Sequence, residues 1–338
     1  MVEHDLLDCR ELAAVRQLKQ ALKSSRGISL VELLVALVIG VVLTFGAMHL
    51  LLRSKLGYLQ SEELARLQEN GRYALRLLAH ELTMAGYLGT ELPRSAIDSA
   101  LIGTACFDYL LDTTRPLDHI NDVTVNGLPG SGGAGAPQDC LVRGQHQVGT
   151  DVLVNRRTAG SPLFAGGVWR GAPDAQAIYL RSLIQGSAPL LQRGSGNPAQ
   201  ADLWEYVPLV LFLRSYSRTR GDGIPSLCRK RQGRTSNRMA PTECLVEGIE
   251  NLQLEFGIDD TGDLLADRFE QAPTDMEMGT AVVARIYLLV RSVYPVAGYT
   301  DDKSYALGNT LVPAAHDGHY RRLMQTTVLL RNTGVFGP

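Results

Sequence analysis

The sequence predicts an α+β protein in which one long amino-terminal helix is packed on an antiparallel β-sheet head with long loops. Three observations predict this fold class. The run from Ile28 to Leu52 is apolar almost throughout. No proline precedes Pro93, and apolar or small residues continue at steps of three or four as far as Ala85. The rest of the chain contains short segments rich in β-branched and aromatic residues between turn residues.

The apolar run, residues 28–52, is long enough to cross a membrane. As a helix rising about 1.5 Å per residue it would measure roughly 37 Å, against a hydrocarbon layer about 30 Å thick. It carries one acid, Glu32, and a carboxylate inside such a span is costly, so we expect a positively charged partner for it. An ordinary single-pass anchor with Glu32 near the interface is one alternative. A cleaved secretory signal is another, although its apolar core has only about 7 to 15 residues.

The start of the apolar run has a specific pattern: the basic Arg26, then a glycine, an apolar residue and an acid four positions later. The segment from Gly27 to Glu32, GISLVE, resembles the processing site of type IV prepilins and type II secretion pseudopilins. The resemblance implies that a membrane prepilin peptidase cuts between Gly27 and Ile28 and methylates the new amino terminus at Ile28. It also implies that Glu32 neutralises the terminal ammonium of a neighbouring subunit during assembly.

Further segments narrow the resemblance to the PilW-type minor pilins. They lie towards both ends of the chain, and residues 101–236 carry the least resemblance. The segments are Glu69–Leu78 (ENGRYALRLL), Glu81–Leu82, Met84–Gly89 (MAGYLG), Val246–Leu252 (VEGIENL), Phe256–Asp259 (FGID) and Arg331–Asn332.

The resemblance implies a type IV pilin-like fold and a structural subunit of a priming, tip-proximal complex that initiates assembly of the type IV pilus. The expected partners are other minor pilins, the major pilin, a tip adhesin, the prepilin peptidase and the inner-membrane assembly platform. We expect neither an enzyme nor a cofactor, because the sequence contains no Gly-x-Ser-x-Gly elbow, and His80-Glu81 lacks the second histidine that a zinc-protease helix has four positions after the first. The alternative is a large minor pseudopilin of a type II secretion system.

Three regions follow from this interpretation. Residues 1–27 are a cytoplasmic prepilin leader that is cleaved, 28–89 are the transmembrane and docking helix, and 90–338 are a periplasmic β-rich head. The leader carries five basic residues, which the positive-inside rule keeps in the cytoplasm. We therefore expect a single pass through the bacterial inner membrane, and then a place in a pilus on the cell surface. The net charge of −2 gives no bias towards nucleic acid.

The second half of the long helix has one apolar stripe that we expect to dock on a sheet, because its small residues favour closer packing than a free coiled coil needs. Gly86 and Gly89 supply its stop signals. The stripe consists of Leu64, Leu67, Gly71, Ala74, Leu78, Leu82 and Ala85. The strand candidates are Val152–Asn155, Ala177–Ser182, Val207–Ser215, Leu252–Ile258, Val282–Val293 and Arg322–Leu330. Asn121–Ala136 and Gly186–Ala201 are expected to be mobile loops.

Five cysteines occur, and Cys9 leaves with the leader. The remaining four are Cys106, Cys140, Cys228 and Cys244. In an oxidising periplasm they predict two disulfides with three possible connectivities, of which we favour Cys106 with Cys140 and Cys228 with Cys244. A metal site is the alternative, although no Cys-x-x-Cys occurs.

Three other patterns can be interpreted either as purely structural features or as functional sites. Residues 130–135, GSGGAG, match the spacing of a dinucleotide loop but lack a following helix pattern, so a flexible loop is favoured. Asp259, Asp263 and Glu270 partly match a calcium loop, but a hairpin turn with Gly262 at positive φ explains the segment more simply. The basic cluster from Arg229 to Arg238 has no aromatic residue to stack bases, which favours a solvated or subunit-binding loop over a DNA site.

Overall fold

The computed structural model describes residues 27, 29–89, 97–99, 101–124, 140–141, 144–183, 189–196 and 201–333. The chain forms two compact units that divide after Leu59. Helix α1 (Leu30–Met84) begins in the first unit and ends in the second. The second unit contains two short helices, α2 (Ala105–Leu111) and α3 (Asp275–Gly279), and all the strands.

Four sheets form the second unit over the described residues. Their orders are β1-β7-β6-β8-β4-β5, β11-β10-β9-β3-β2, β13-β12-β14-β17 and β15-β16, and every ladder is antiparallel except β1 with β7. The strands are β1 (Asp98–Ser99), β2 (Leu117–Ile120), β3 (Val152–Asn155), β4 (Phe164–Ala165), β5 (Val168–Trp169), β6 (Ile178–Leu183), β7 (Leu190–Arg193), β8 (Ala201–Glu205), β9 (Leu209–Arg214), β10 (Ser226–Arg231), β11 (Glu243–Glu247), β12 (Ile249–Ile258), β13 (Arg268–Glu270), β14 (Ala281–Arg291), β15 (Tyr305–Leu307), β16 (Thr310–Val312) and β17 (Arg321–Leu329).

The part of α1 in the second unit packs on the four-stranded sheet. Its buried stripe shares one apolar cluster with β12 and β14, and each leucine buried there contributes about 1.5 to 3 kcal/mol. At Gly71 a Cβ would lie 3.0 Å from Val290 Cγ2 and would collide with the sulfur of Met324, so helix and sheet approach more closely there than any side chain allows. The predicted docking is confirmed, but its first residue, Leu64, is 39% exposed and lies outside the buried stripe.

The predicted helix end is confirmed at Met84, and it depends on the two glycines that follow. Gly86 and Gly89 have φ of 76° and 94°, a region that only glycine enters without strain. A Cβ at Gly86 would also lie 2.7 Å from Pro116 Cβ. The sequence therefore ends α1 both by backbone conformation and by the close approach of a neighbouring segment.

All six predicted strands are present within a few residues of their predicted bounds. One predicted loop needs correction, and most of the other lies outside the described residues. Within the predicted loop 186–201, Leu190–Arg193 forms β7, which pairs with β6 and β1 because its apolar residues complete the face of the six-stranded sheet. Of the predicted loop 121–136, residues 125–136 lie outside the described part, as does the glycine run 130–135.

Candidate functional site

The first turn of α1 places Glu32 next to the amino-terminal end of the helix, where the helix dipole favours a carboxylate. Ser29 precedes the helix, and its hydroxyl accepts a hydrogen bond from the Glu32 backbone N–H at 3.2 Å. The Ser29-x-x-Glu32 spacing is that of a capping box. No described residue lies within 4 Å of the position that a Cβ of Gly27 would take, and Ile28 lies outside the described residues.

The surface of α1 in the first unit is apolar and uncovered. Leu30 is 75% exposed and Phe45 is 73% exposed, and no residue of the most apolar 18-residue window is buried. Among the described residues, α1 is the one helix long and apolar enough to cross a membrane, by length and composition. So large an exposed apolar surface requires lipid or other apolar helices to cover it.

Both disulfides of the head have the favoured sequential pairing, Cys106 with Cys140 and Cys228 with Cys244. The first ties α2 to a segment 34 residues later, and the second joins the neighbouring strands β10 and β11 across 16 residues. Cys106, Cys140 and Cys228 are fully buried in one apolar cluster, and Cys244 packs against it. The two cross-links therefore hold α2 and the edge of the five-stranded sheet around a common core.

We expect the double change Cys228→Ser/Cys244→Ser to lower the free energy of unfolding by roughly 3 kcal/mol, because it frees a 16-residue loop in the unfolded chain. Urea unfolding of the detergent-solubilised chain measures this loss. Thiol labelling of the unfolded, unreduced mature protein should find no free thiol, and labelling after reduction should find four. Four labelled thiols before reduction would contradict the pairing.

A buried ion pair ties the end of α1 to the five-stranded sheet. Glu81 is 4% exposed and accepts hydrogen bonds from Arg157 Nε and Nη2 at 2.7 and 2.8 Å. Asn155 on β3 donates to the Glu81 backbone carbonyl at 2.7 Å and to its carboxylate at 3.0 Å. The sequence predicts Glu81 only as a helix residue, because its partners lie more than seventy positions away. This bidentate contact fixes the orientation of the helix end.

Next to this pair, the guanidinium of Arg156 is fully buried. It donates to Asp118 Oδ2 at 2.8 Å, to the Tyr109 carbonyl at 2.9 Å and to the Arg115 carbonyl at 2.8 Å, and it lies 4.5 Å from the centre of the Tyr109 ring. Burial raises the pKa of the Tyr109 hydroxyl, which donates to Asp118 at 2.5 Å. One side chain thus connects α2, β2 and β3, and no sequence signal pointed to it.

The two ends of the chain that resemble PilW-type pilins meet in the fold. Asn332 donates to the carbonyl of Thr83 at 3.1 Å, where the last turn of α1 leaves carbonyls without helical partners. The Gly86 N–H is bonded to the Arg156 carbonyl at 3.0 Å, and Tyr87 packs edge-on against Trp204 at 5.8 Å. The Ala-Gly-Tyr-x-Gly and Arg-Asn segments therefore form one junction that closes the helix end.

The segment that partly matches a calcium loop is a hairpin turn between β12 and β13, with Gly262 at φ 80°, as the favoured interpretation of the sequence predicts. The Asp259 carboxylate accepts from the backbone N–H of Gly262 at 2.5 Å and of Leu264 at 2.8 Å, so it caps the turn, and these bonds lower its pKa against the opposing effect of burial. Glu270 pairs with Arg268 at 2.7 Å. No described group of three or more Asp, Glu, His or Cys residues is arranged to hold a metal ion.

The predicted basic loop is corrected in part, because Arg229, Lys230 and Arg231 belong to β10. Glu243, directly across on β11, pairs with Arg229 at 3.0 Å and with Arg231 at 3.4 Å. Arg234 forms an ion pair with Asp174. Three of the five basic side chains therefore have carboxylate partners, two of them across the β10–β11 strand pair, and Lys230 is buried.

Two protein-family models match this chain. The model described as the prokaryotic N-terminal methylation motif matches residues 22–48, and the model described as type IV pilus-assembly protein W matches residues 215–332. The first range contains Gly27 to Glu32, and the second contains β10 to β17 and Asn332. The predicted resemblance to PilW-type pilins is therefore confirmed over these two ranges, and the methylation motif together with the apolar helix supports a membrane anchor at the amino terminus.

No curated protein matches the chain at a significant level. Among solved structures, the chain is similar to the type IV-like pilin TTHA1219 from Thermus thermophilus, with 12% identity over 80% of this chain and 97% of that chain, and a TM-score of 0.35.

Proposed function

We propose that this chain, in which a prepilin methylation motif precedes a PilW pilus-assembly region, is a minor pilin of a priming complex near the tip of a type IV pilus. The observation that carries the proposal is the first turn of α1. There the Ser29 hydroxyl accepts a hydrogen bond from the backbone N–H of Glu32, and the most apolar part of the helix that follows has no buried residue. A carboxylate in that position is useful where a cation approaches it in lipid or in a bundle of helices.

In this proposal the first unit stores the subunit in the bacterial inner membrane with the head in the periplasm. The prepilin peptidase removes residues 1–27, methylates Ile28 and leaves an ammonium at the new amino terminus. Glu32 of one subunit then pairs with that ammonium on the next as subunits leave the membrane. The head provides the contacts with other minor pilins, the major pilin and a tip adhesin.

The docked end of α1 suits such a subunit because several contacts hold it within the second unit. The Glu81 to Arg157 pair, the close approach at Gly71 and the Asn332 cap all restrain the helix within the second unit. The role is structural, in keeping with the pilin family. The PilW match favours the pilus over the type II secretion system named as the alternative. Deleting the gene and scoring surface pili, twitching and type II secretion together separates the two: we expect pili and twitching to be lost and secretion to continue.

Cleavage is tested first. We expect Gly27→Val to prevent the cut, because a side chain at this position occupies space next to the bond that the peptidase must reach. Mass spectrometry of the membrane fraction should find a chain beginning at Ile28 for the unchanged protein and only the full-length chain for the variant. Gly57→Ala serves as the control, since it adds a methyl group on α1 in equally open space and should be processed normally. A full-length unchanged chain beside an active peptidase would contradict the proposed site.

A further inference from the structure

The four-stranded sheet ends in a long strand, β17, whose outer edge is open. β17 is paired with β14 over all nine residues without a bulge, and the sheet order ends there. Tyr320 and Leu330, which flank the strand, both bond towards β14: Ser292 donates to the Tyr320 carbonyl at 2.8 Å, and Leu330 donates to the Val282 carbonyl at 2.9 Å. Because strand residues alternate, the even-numbered residues of β17 bond inwards and the odd-numbered ones face away from β14.

This alternation leaves a row of backbone groups at the edge. The Arg321 carbonyl accepts from the Tyr305 hydroxyl at 3.5 Å. The next four outward residues, Leu323, Gln325, Thr327 and Leu329, have no backbone partner among the described residues. Gln325, Thr327 and Leu329 are exposed, so nothing described covers the row. Four consecutive outward residues offer eight backbone hydrogen-bonding groups in the geometry of a strand.

The edge also lacks the features by which proteins prevent strand pairing. β17 contains no proline, no lysine and no bulge, and it is longer than most edge strands. Of its two charged residues, Arg321 is held by Glu250 at 2.6 Å and by Asp317 at 2.6 Å, and only Arg322, at the start of the strand, is exposed. Such an edge is a template for another strand.

Beside the edge, on the outer face of the sheet, lies a cavity of about 460 Å³ lined by Arg285, Tyr287, Gln325, Thr326 and Thr327. The Arg285 guanidinium lies 3.4 Å from the centre of the Phe269 ring, and its nearest carboxylate oxygen, on Glu255, is 3.9 Å away and is already bonded to the Tyr287 hydroxyl. A cation held in this way is complementary to an acidic side chain of a strand added beside Thr327.

We propose that β17 binds an extended segment of a different pilin subunit, which adds a fifth strand to this sheet and directs an acidic side chain into the cavity at Arg285. A second copy of this chain is a poor occupant, because its own β17, RRLMQTTVL, contains two arginines and no acid. The inference rests on the proposed pilin function and names the surface through which one partner is held.

The first test changes the edge without changing the rest of the sheet. In Thr327→Pro the outward N–H is lost and a ring blocks the approach of a strand, whereas the inward bonds of Thr326 and Val328 to β14 remain. We expect at least about a tenfold loss of other minor pilins that co-purify with the tagged full-length chain. The matched control Thr327→Val keeps the backbone N–H and should retain them. Arg285→Gln should reduce co-purification about two- to fivefold.

A second measurement identifies the occupant and does not depend on the proline variant folding. A photo-crosslinking residue in place of Gln325, in the full-length chain in cells, should link it to another pilin subunit. A link to a second copy, a link to a protein that is not a pilin, or no link would overturn the proposal, as would normal co-purification of a folded Thr327→Pro. If the unchanged chain were missing from pili altogether, the proposed function would fail instead, so the two failures are distinguishable.

Discussion

Glu32→Ala is expected to leave the protein cleaved, inserted and folded but missing from pili. An alanine is cheaper in a bilayer than a carboxylate, so storage in the membrane should be unaffected or improved. The head contains its own core and disulfides in the second unit, so its folding does not require this side chain. During assembly, however, the ammonium of a neighbouring subunit would be left without a counter-charge among apolar helices, which costs several kcal/mol.

The measurement is recovery of the chain in sheared pili and with other minor pilins, at equal cellular abundance. We expect a loss of two or more orders of magnitude, since each 1.4 kcal/mol is about tenfold. Glu32→Asp keeps the charge and should retain part of the recovery. Glu62→Ala is the matched control, because Glu62 also lies on α1 but pairs with its exposed neighbour Arg66. Normal recovery of the Glu32→Ala chain would show that the carboxylate has no part in assembly.

Arg156→Met should be the most destabilising single change in the head, by about 3 to 5 kcal/mol. The variant removes the closer of the two cations beside the Asp118 carboxylate, which is 7% exposed, and leaves Arg115 at 3.7 Å. It also removes the guanidinium donors from the carbonyls of Tyr109 and Arg115. Methionine fills much of the space of the arginine side chain. The loss in the free energy of unfolding therefore comes mainly from the missing charge and hydrogen bonds, and less from a cavity.

Urea unfolding of the detergent-solubilised chain, followed by circular dichroism, measures this change. Arg170→Met is the control, because Arg170 is exposed and its side chain makes no hydrogen bond or ion pair with the described residues; it should change the free energy of unfolding by less than about 0.5 kcal/mol. The double change Arg156→Met/Asp118→Asn should lower the free energy of unfolding by less than the sum of the two single changes, since it also removes the carboxylate charge that Arg156 neutralises. Equal losses for Arg156→Met and Arg170→Met would refute the structural role of the buried guanidinium.

Local patterns were enough to predict α1 and its end. The apolar run, the three- and four-residue steps from Leu67 to Ala85 and the glycines at 86 and 89 are all read within a few residues of one another. Three strands of the four-stranded sheet, β12, β14 and β17, were predicted because they are long, whereas β13 has only three residues and was missed. Short strands such as β7 and β8 were missed, since four or five residues among glycines and prolines give too weak a pattern.

The contacts between distant segments could not be predicted in the same way. Glu81 meets Arg157, and Thr83 meets Asn332, across 76 and 249 positions. No periodicity extends over such distances, and a charged residue on a helix is usually solvated. The pairing of Arg229 with Glu243 was hidden for the same reason until the register of β10 and β11 brought them face to face.

The sequence by itself determined the amino-terminal helix, the acid at its first turn, the antiparallel character of the head and the four cysteines of its cross-links, because each depends on residue type and near-neighbour spacing. Only the tertiary structure decided which charges are buried together, how the helix end is closed, and that β17 lies at an open edge beside Arg285. Those features depend on strand order and register. The total free energy of the whole core selects the order and register, so no single segment of the sequence specifies them.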